Sequence, residues 1–546
     1  VILMSLGTML QMCTMQFTEQ PSALNVVQTK AGAVEGLNVD TGLFPMVEEF
    51  KGVPFADVPG KWEKPKPHPG WDGVLIATKF RERCLQVMLL QTKTQGSEDC
   101  LYLNIFVPHG LSVSTNLPVM VYLFGGAFLL GASDDVEALG ESLYDGKEMA
   151  DGGVIVVTVN YRVGTLGFLS SGDERLPGNY GLWDQHAAIS WVHRNIRAFG
   201  GNPDNITIFG QSARAASVNF QMVSPYSKGL FRRAICQGGV ALSPCSVINL
   251  SHFNLKLYKK ITCKTEEDDM LACLKAFNPI KLTMAGKINL LDIFGKDPVM
   301  DLLQLAPVVD GDFIPDDPGK LFHNAAQFDY LAGVNSMDGH IFAGINVPSI
   351  NNMKETTTTD QVKGLLTGLT KDKGDAAVSS AFDVYSVHWG LAPDPAIVKK
   401  TVADIETNFL FLVPTQIVLQ LHANNTRSAC TYSYLFNMKT RIPGFPRWVE
   451  AEHAEDLQYL FSKPFSLPLL YFPRHRDAYW TNFAKTGDPS RGNSKVPVLW
   501  PAFTKYHQPY LVINDSMSKS SVSYDLRSFY VKFWTQTYGQ LPSAGT

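Results

Sequence analysis

The chain has 546 residues, a formal net charge of −4 and 45% hydrophobic residues. That allows a large buried core and leaves no basic footprint for nucleic acid. No repeat or low-complexity stretch interrupts it, which excludes solenoid and disordered classes.

The first residues, Val1 to Leu10, are largely apolar, and polar residues enter from Gln11 onward. The stretch is too short and too interrupted to span a bilayer. It reads as the tail of a secretory signal, with Pro21, Ser22 and Ala23 as a small-residue exit. The alternative is a fragment or expression scar, since neither an initiating Met nor a basic stretch precedes it. The expectation is a truncated signal over 1–21 and a single domain over 22–546.

Pro118 to Phe124 is a continuous apolar run ending in Gly125-Gly126-Ala127, the pattern of a buried strand that delivers a loop. Val154 to Val159 reads as a second strand, and Tyr180 to Val192 carries helical apolar spacing. Asn205 to Phe209 reads as a third strand, leading straight into Gly210-Gln211-Ser212-Ala213-Arg214, and Ala215 to Val223 suits a buried helix. The span from Ser243 to Gln304 is more helical and reads as an insertion. Phe328 to Val334 and Thr431 to Phe436 read as later strands, and Tyr524 to Tyr538 as a C-terminal helix. Strands alternating with helices predict an α/β fold with a large, mostly parallel central sheet flanked by helices.

Cys84/Cys100 and Cys263/Cys273 each bracket a short stretch, as local disulfide loops do, whereas Cys236, Cys245 and Cys430 read as free thiols. N-x-S/T sequons stand at Asn205, Asn249, Asn424 and Asn514. With the signal-like start they favour the secretory route, where disulfides persist. No CxxC or His/Cys ligand spacing occurs, so no metal site is expected.

The run around Ser212 matches G-x-S-x-G, a strand-to-helix turn that exposes a nucleophilic hydroxyl, except that the second glycine is Arg214. A serine needs a base to take its proton and an acid to orient that base. On this fold the order is Ser, Asp or Glu, His. Asp338 follows a predicted strand in Gly333-Val334-Asn335-Ser336-Met337-Asp338-Gly339, and His453 lies in Glu450-Ala451-Glu452-His453-Ala454-Glu455-Asp456. Taken singly, either reads as a surface feature. Backbone N–H groups of Gly125-Gly126-Ala127-Phe128 and of Ala213 suit an oxyanion hole.

Glu98-Asp99-Cys100-Leu101-Tyr102-Leu103-Asn104 resembles one signature of the type-B carboxylesterase family, which includes cholinesterases. Phe199-Gly200-Gly201-Asn202-Pro203-Asp204-Asn205-Ile206-Thr207, leading into Gly210-Gln211-Ser212-Ala213, resembles the other. Longer stretches, among them Asn160-Tyr161-Arg162-Val163-Gly164 and Asp310-Gly311-Asp312-Phe313-Ile314-Pro315, are similar to a branch of vertebrate lipases that bile salts activate. The likeness runs from about Ser22 to Tyr538. It implies an α/β-hydrolase fold and a secreted serine hydrolase of lipid esters, such as cholesteryl esters and acylglycerols. Such an enzyme works at a lipid or micelle surface, with bile salts as activators and no metal or other cofactor.

The resemblance further implies Ser212, Asp338 and His453 as the catalytic triad and Gly126, Ala127 and Ala213 as oxyanion donors. It pairs Cys84 with Cys100 and Cys263 with Cys273, and it makes Asn205 a glycosylated site. Arg83 and Arg441 fall where that branch contacts bile salts, with plain solvated arginines as the alternative. Two departures stand out. Gln211 replaces a family Glu, for which a modest effect is expected. Arg214 replaces a Gly, so its side chain is expected to push the turn apart or be forced out sideways. A misplacement of about 1 Å costs roughly a hundredfold in rate. The readings are an active enzyme with an adjusted turn, a weakened paralogue that binds lipids or partners, or a sequence error or rare variant. Intact Ser212, Asp338 and His453 favour the first or third.

Overall fold

The computed structural model describes residues 26–39, 46–88, 93–109, 115–134, 137–138, 141–142, 146–247, 270–288, 297–438, 445–461 and 477–544. The signal-like segment 1–21, Cys263 and Arg441 lie outside the described residues.

Among these residues the chain builds an 11-stranded sheet. In chain order its strands are β1 (Leu37–Val39), β2 (Val47–Pro54), β3 (Tyr102–Pro108), β4 (Leu117–Leu123), β5 (Ile155–Val159) and β6 (Gly201–Gln211). They continue as β7 (Arg233–Gln237), β8 (Asp329–Asn335), β9 (Thr431–Phe436), β10 (Pro509–Ile513) and β11 (Val522–Tyr524). The spatial order is β11-β10-β9-β8-β7-β6-β4-β5-β3-β2-β1. From β5 to β10 every neighbouring pair is parallel. The flanking pairs β5/β3, β3/β2, β2/β1 and β10/β11 are antiparallel.

The central strands are apolar runs because both faces of a parallel sheet are covered. Every residue of β5 is buried. Along β4 the side chains alternate between two cores: Val119, Val121 and Leu123 join one, and Met120 and Tyr122 join the other. Helix α1 (Tyr180–Asn195) follows β5, and α2 (Ala213–Val223) follows β6 directly. Helices α3 (Pro395–Glu406) and α4 (Val413–Asn425) are joined by a π-helical turn, Thr407–Leu412. This stretch is long and apolar enough to cross a membrane, but 83% of its most apolar window is buried inside the protein, which makes it a core helix.

The fold is the expected α/β hydrolase, with two local differences. The antiparallel strands β1, β2 and β3 were not legible as strands. At the C-terminus the helix begins at Ser528, because Val522–Tyr524 pairs as an edge strand. Positive φ at Asp525 (55°) and Arg527 (45°) then turns the chain.

Candidate active site

Strand β6 ends at Gln211 and α2 begins at Ala213, so Ser212 alone makes the turn between them. Its backbone pays with φ 64° and ψ −136°, a region that L residues occupy only where the surroundings enforce it. Enforcement comes from the neighbouring strand: the Ser212 N–H donates to the Gln237 carbonyl at 2.9 Å. The hydroxyl is thereby raised above the carboxyl ends of the parallel strands.

Asp338 sits three residues past β8. Its Oδ2 accepts the Asn335 N–H at 2.7 Å, which curls the loop back on the strand end. The His453 loop docks against it through the Met337 N–H to the Ala451 carbonyl (2.9 Å) and Asn335 Nδ2 to the Glu452 carbonyl (2.7 Å). These two bonds, one between backbones and one from the Asn335 side chain, bring together residues far apart in sequence. The imidazole Nδ1 lies 2.8 Å from Asp338 Oδ1, and Nε2 lies 2.8 Å from Ser212 Oγ. Asp338 is fully buried and the His453 side chain keeps 12% exposure. The ring of Phe411, from the π-helical turn, stands 4.9 Å from the imidazole.

Burial works against a charged His453, yet the bond from Asp338 and the charges of Asp338, Glu452 and Asp456 outweigh it and raise the imidazole above its ordinary value. Burial pushes Asp338 up, while the His453 bond opposes that push. Asp456, also buried, is pushed up to about 6 by burial and by the Asp338 charge. It accepts Gln237 Nε2 at 2.6 Å and Asn335 Nδ2 at 3.3 Å. A cluster of acids thus stands behind the imidazole.

The expected oxyanion donors follow β4 and open α2. None of the N–H groups of Gly126, Ala127 and Ala213 donates a hydrogen bond among the described residues. Unspent backbone donors of this kind are what an oxyanion hole is built from. Gln211 Nε2 lies 3.1 Å from His453 Nε2, sharing its lone pair with the serine.

Arg214 follows neither of the two expected courses. Its side chain is fully buried, and the triad spacing is kept. The guanidinium runs inward under the glycine loop, donating through Nε to the Tyr161 hydroxyl and through Nη2 to the Leu130 carbonyl. The mutually stacked rings of Phe124 and Tyr161 lie beside it, with their centroids 4.8 and 5.6 Å from its Cζ. The triad spacing is kept because the side chain passes beneath the glycine loop and not into the strand–helix contact. The strand–helix approach is provided instead by Gly210, where a Cβ would stand 2.9 Å from the Arg214 carbonyl oxygen.

A serine whose proton has a base waiting, beside donors with no other acceptor, is equipped for acyl transfer. The chain is a serine hydrolase built on the α/β-hydrolase fold. It belongs to the carboxylesterase family, whose profile ("Carboxylesterase family") matches residues 23–534. It is 50% identical to the bile salt-activated lipase of Bos taurus over 531 residues, covering 95% of this chain and 89% of that one. Identity to the bile salt-activated lipase of Homo sapiens is also 50%, over 95% of this chain and 70% of that protein. The cholinesterase of Mus musculus is 32% identical, over 93% of this chain and 86% of that one.

Cys84 and Cys100 are joined in a disulfide, and Cys273 is disulfide-bonded. Cys236, Cys245 and Cys430 are free thiols, as the sequence suggested. Arg83 faces Asp134 at 3.9 Å. Asn205 is half-buried: its Nδ2 donates to the Lys485 carbonyl at 3.4 Å and its Oδ1 accepts from Arg233. Sequence reasoning missed Gln237, Asn335, Asp456 and Phe411. None of them belongs to a motif, although Asp456 sits one helical turn's distance past His453 in an acid-rich run that hinted at a charge effect.

Proposed function

We propose that this chain hydrolyses carboxylic esters of lipids through Ser212, His453 and Asp338. The observation that carries this reading is the unbroken relay of two 2.8 Å contacts from buried Asp338 through His453 to Ser212. Ser212 Oγ attacks the ester carbonyl as His453 Nε2 takes its proton. Asp338 keeps Nδ1 protonated and stabilises the imidazolium. The carbonyl oxygen becomes negative against the N–H groups of Gly126, Ala127 and Ala213. His453 then returns the proton to the leaving alcohol, and water, activated by the same imidazole, releases the acid. The scheme uses the chain's own groups and water, with no metal or organic cofactor.

Similarity to bile salt-activated lipases over 95% of the chain supports lipid esters as the substrate class and bile salts as activators. The Cys84–Cys100 disulfide supports an extracellular setting. The intact triad spacing speaks against a silenced paralogue. The test is hydrolysis of p-nitrophenyl butyrate and of a cholesteryl ester, with and without taurocholate, beside Ser212→Ala. Turnover that rises with taurocholate and drops about 10⁶-fold in Ser212→Ala is expected. Wild-type rates no higher than those of Ser212→Ala on both substrates would sink the reading.

A further inference from the structure

Arg214 carries three observations that the hydrolase scheme does not use. Among the described residues it is the largest fully buried side chain. Among the described residues no carboxylate pairs with it, and its Nη1 has no hydrogen-bond partner. It also sits in the first turn of α2, where the positive end of the helix disfavours a cation. Each of these is unfavourable for an ion held only by packing.

What the guanidinium touches is the loop that carries two of the three oxyanion donors. Nη2 holds the Leu130 carbonyl. Nε holds the Tyr161 hydroxyl, which itself donates to the Phe124 carbonyl at 3.0 Å. Phe124 and Leu130 bracket Gly125 to Leu129, so Arg214 holds one end of the loop directly and the other through Tyr161. The free Nη1 points at its middle, since a Cβ on Gly126 would lie 3.1 Å from it. The backbone of Arg214 belongs to α2, one residue after Ala213, whose N–H is the third donor.

We propose that Arg214 is a positioning residue for the oxyanion hole. It bolts the Gly126–Ala127 donors to the helix that carries Ser212 and the Ala213 donor, so that all three aim at one oxygen. The inference rests on the hydrolase reading above and extends it to a residue that stands where the nucleophile motif has glycine. Its cation, together with the helix end, also adds positive potential on the side where negative charge develops.

The test compares wild type with Arg214→Met, Arg214→Lys and Tyr161→Phe in the full chain. Active serines are first counted by the p-nitrophenol burst of an organophosphate, so that rates refer to competent sites. The expected result for Arg214→Met is a kcat lowered about 10- to 100-fold with KM within about twofold. Affinity for a trifluoromethyl ketone, whose adduct places an oxyanion on the loop, falls by the same factor as kcat. Arg214→Lys, which keeps the charge and can hold the Leu130 carbonyl, recovers part of the loss. Tyr161→Phe, which removes only the shared hydroxyl, loses a few-fold in kcat and ketone affinity. A merely structural role would lower the burst amplitude or stability without moving the ketone affinity per site. If wild type turns over and Arg214→Met matches it in kcat and ketone affinity, the inference falls and the hydrolase reading stands. If wild type shows no Ser212-dependent turnover, both fall. Should Arg214→Met fail to fold, Tyr161→Phe decides, with wild-type values overturning the inference.

Discussion

Gly238 offers a way to disturb the triad without touching any of its members. It lies just after β7, with φ 56°, and its N–H donates to the Gly333 carbonyl at 2.9 Å. A Cβ at this position would stand 2.9 Å from Asp338 Oδ1, 3.1 Å from Oδ2 and 3.3 Å from Cγ. The Gly238→Ala variant must therefore meet two demands. The left-handed backbone costs about 1–2 kcal/mol for a residue with a side chain. The carboxylate must also retreat by a few tenths of an ångström. It cannot do so freely, because Oδ2 is held by the Asn335 N–H at 2.7 Å and Oδ1 by His453 at 2.8 Å. One of these bonds lengthens, and the imidazole tilts with it. A kcat lowered about 10- to 100-fold is expected, with KM little changed. Gly229 supplies the control: its φ is 81°, yet a Cβ there meets nothing within 4 Å. Gly229→Ala bears the same backbone demand and is expected to lose comparable thermal stability while keeping wild-type kcat. Steady-state kinetics on p-nitrophenyl butyrate and thermal unfolding of both variants decide the matter. Equal kcat in the two variants would refute the claim that the Asp338 contact, not backbone strain, is what matters at Gly238.

Because His453 must be neutral to accept the serine proton and its environment raises it above the ordinary imidazole value, the acid limb of kcat/KM should lie above the pH at which a free imidazole titrates. Asp338→Asn removes the main favourable charge. It should move that limb to lower pH and cut kcat about 10⁴-fold, as the equivalent change does in serine proteases, read from a pH–rate profile. Gln211→Glu puts a carboxylate 3.1 Å from the imidazole position and should move the limb to higher pH with a plateau within about tenfold of wild type. Asp456, pushed up to about 6, binds its proton more tightly folded than unfolded, where its value is about 3.9. Stability is therefore lost as pH rises through that window. Asp456→Asn should gain melting temperature over wild type at pH 7.5 and lose that gain at pH 4. Opening the Cys84–Cys100 loop, with its sequence separation of 16, by the double serine variant should lower stability by about 3 kcal/mol in denaturant titration.

The sequence alone determined the fold class and the chemistry, for a physical reason. Short apolar runs bounded by turn residues, such as Pro118–Phe124 before Gly125-Gly126 and the β-branched Val154–Val159, suit strands buried on both faces, and a serine in a strand-to-helix turn has few other uses. The order of Ser212, Asp338 and His453 was legible too. Their convergence was not, because it rests on bonds that no local pattern encodes: Met337 to Ala451, Asn335 to Glu452 and Ser212 to Gln237. The antiparallel strands β1 to β3 escaped notice because they mix polar and apolar residues, as Val47–Pro54 does. Arg214 marks the limit most clearly. From the sequence it was a bulky residue in a turn made for glycine, and only the tertiary structure showed the side chain passing under the glycine loop, beside Phe124 and Tyr161. Whether a side chain obstructs or braces depends on which groups the rest of the chain has brought within its reach, and that is a property of packing rather than of neighbours in sequence.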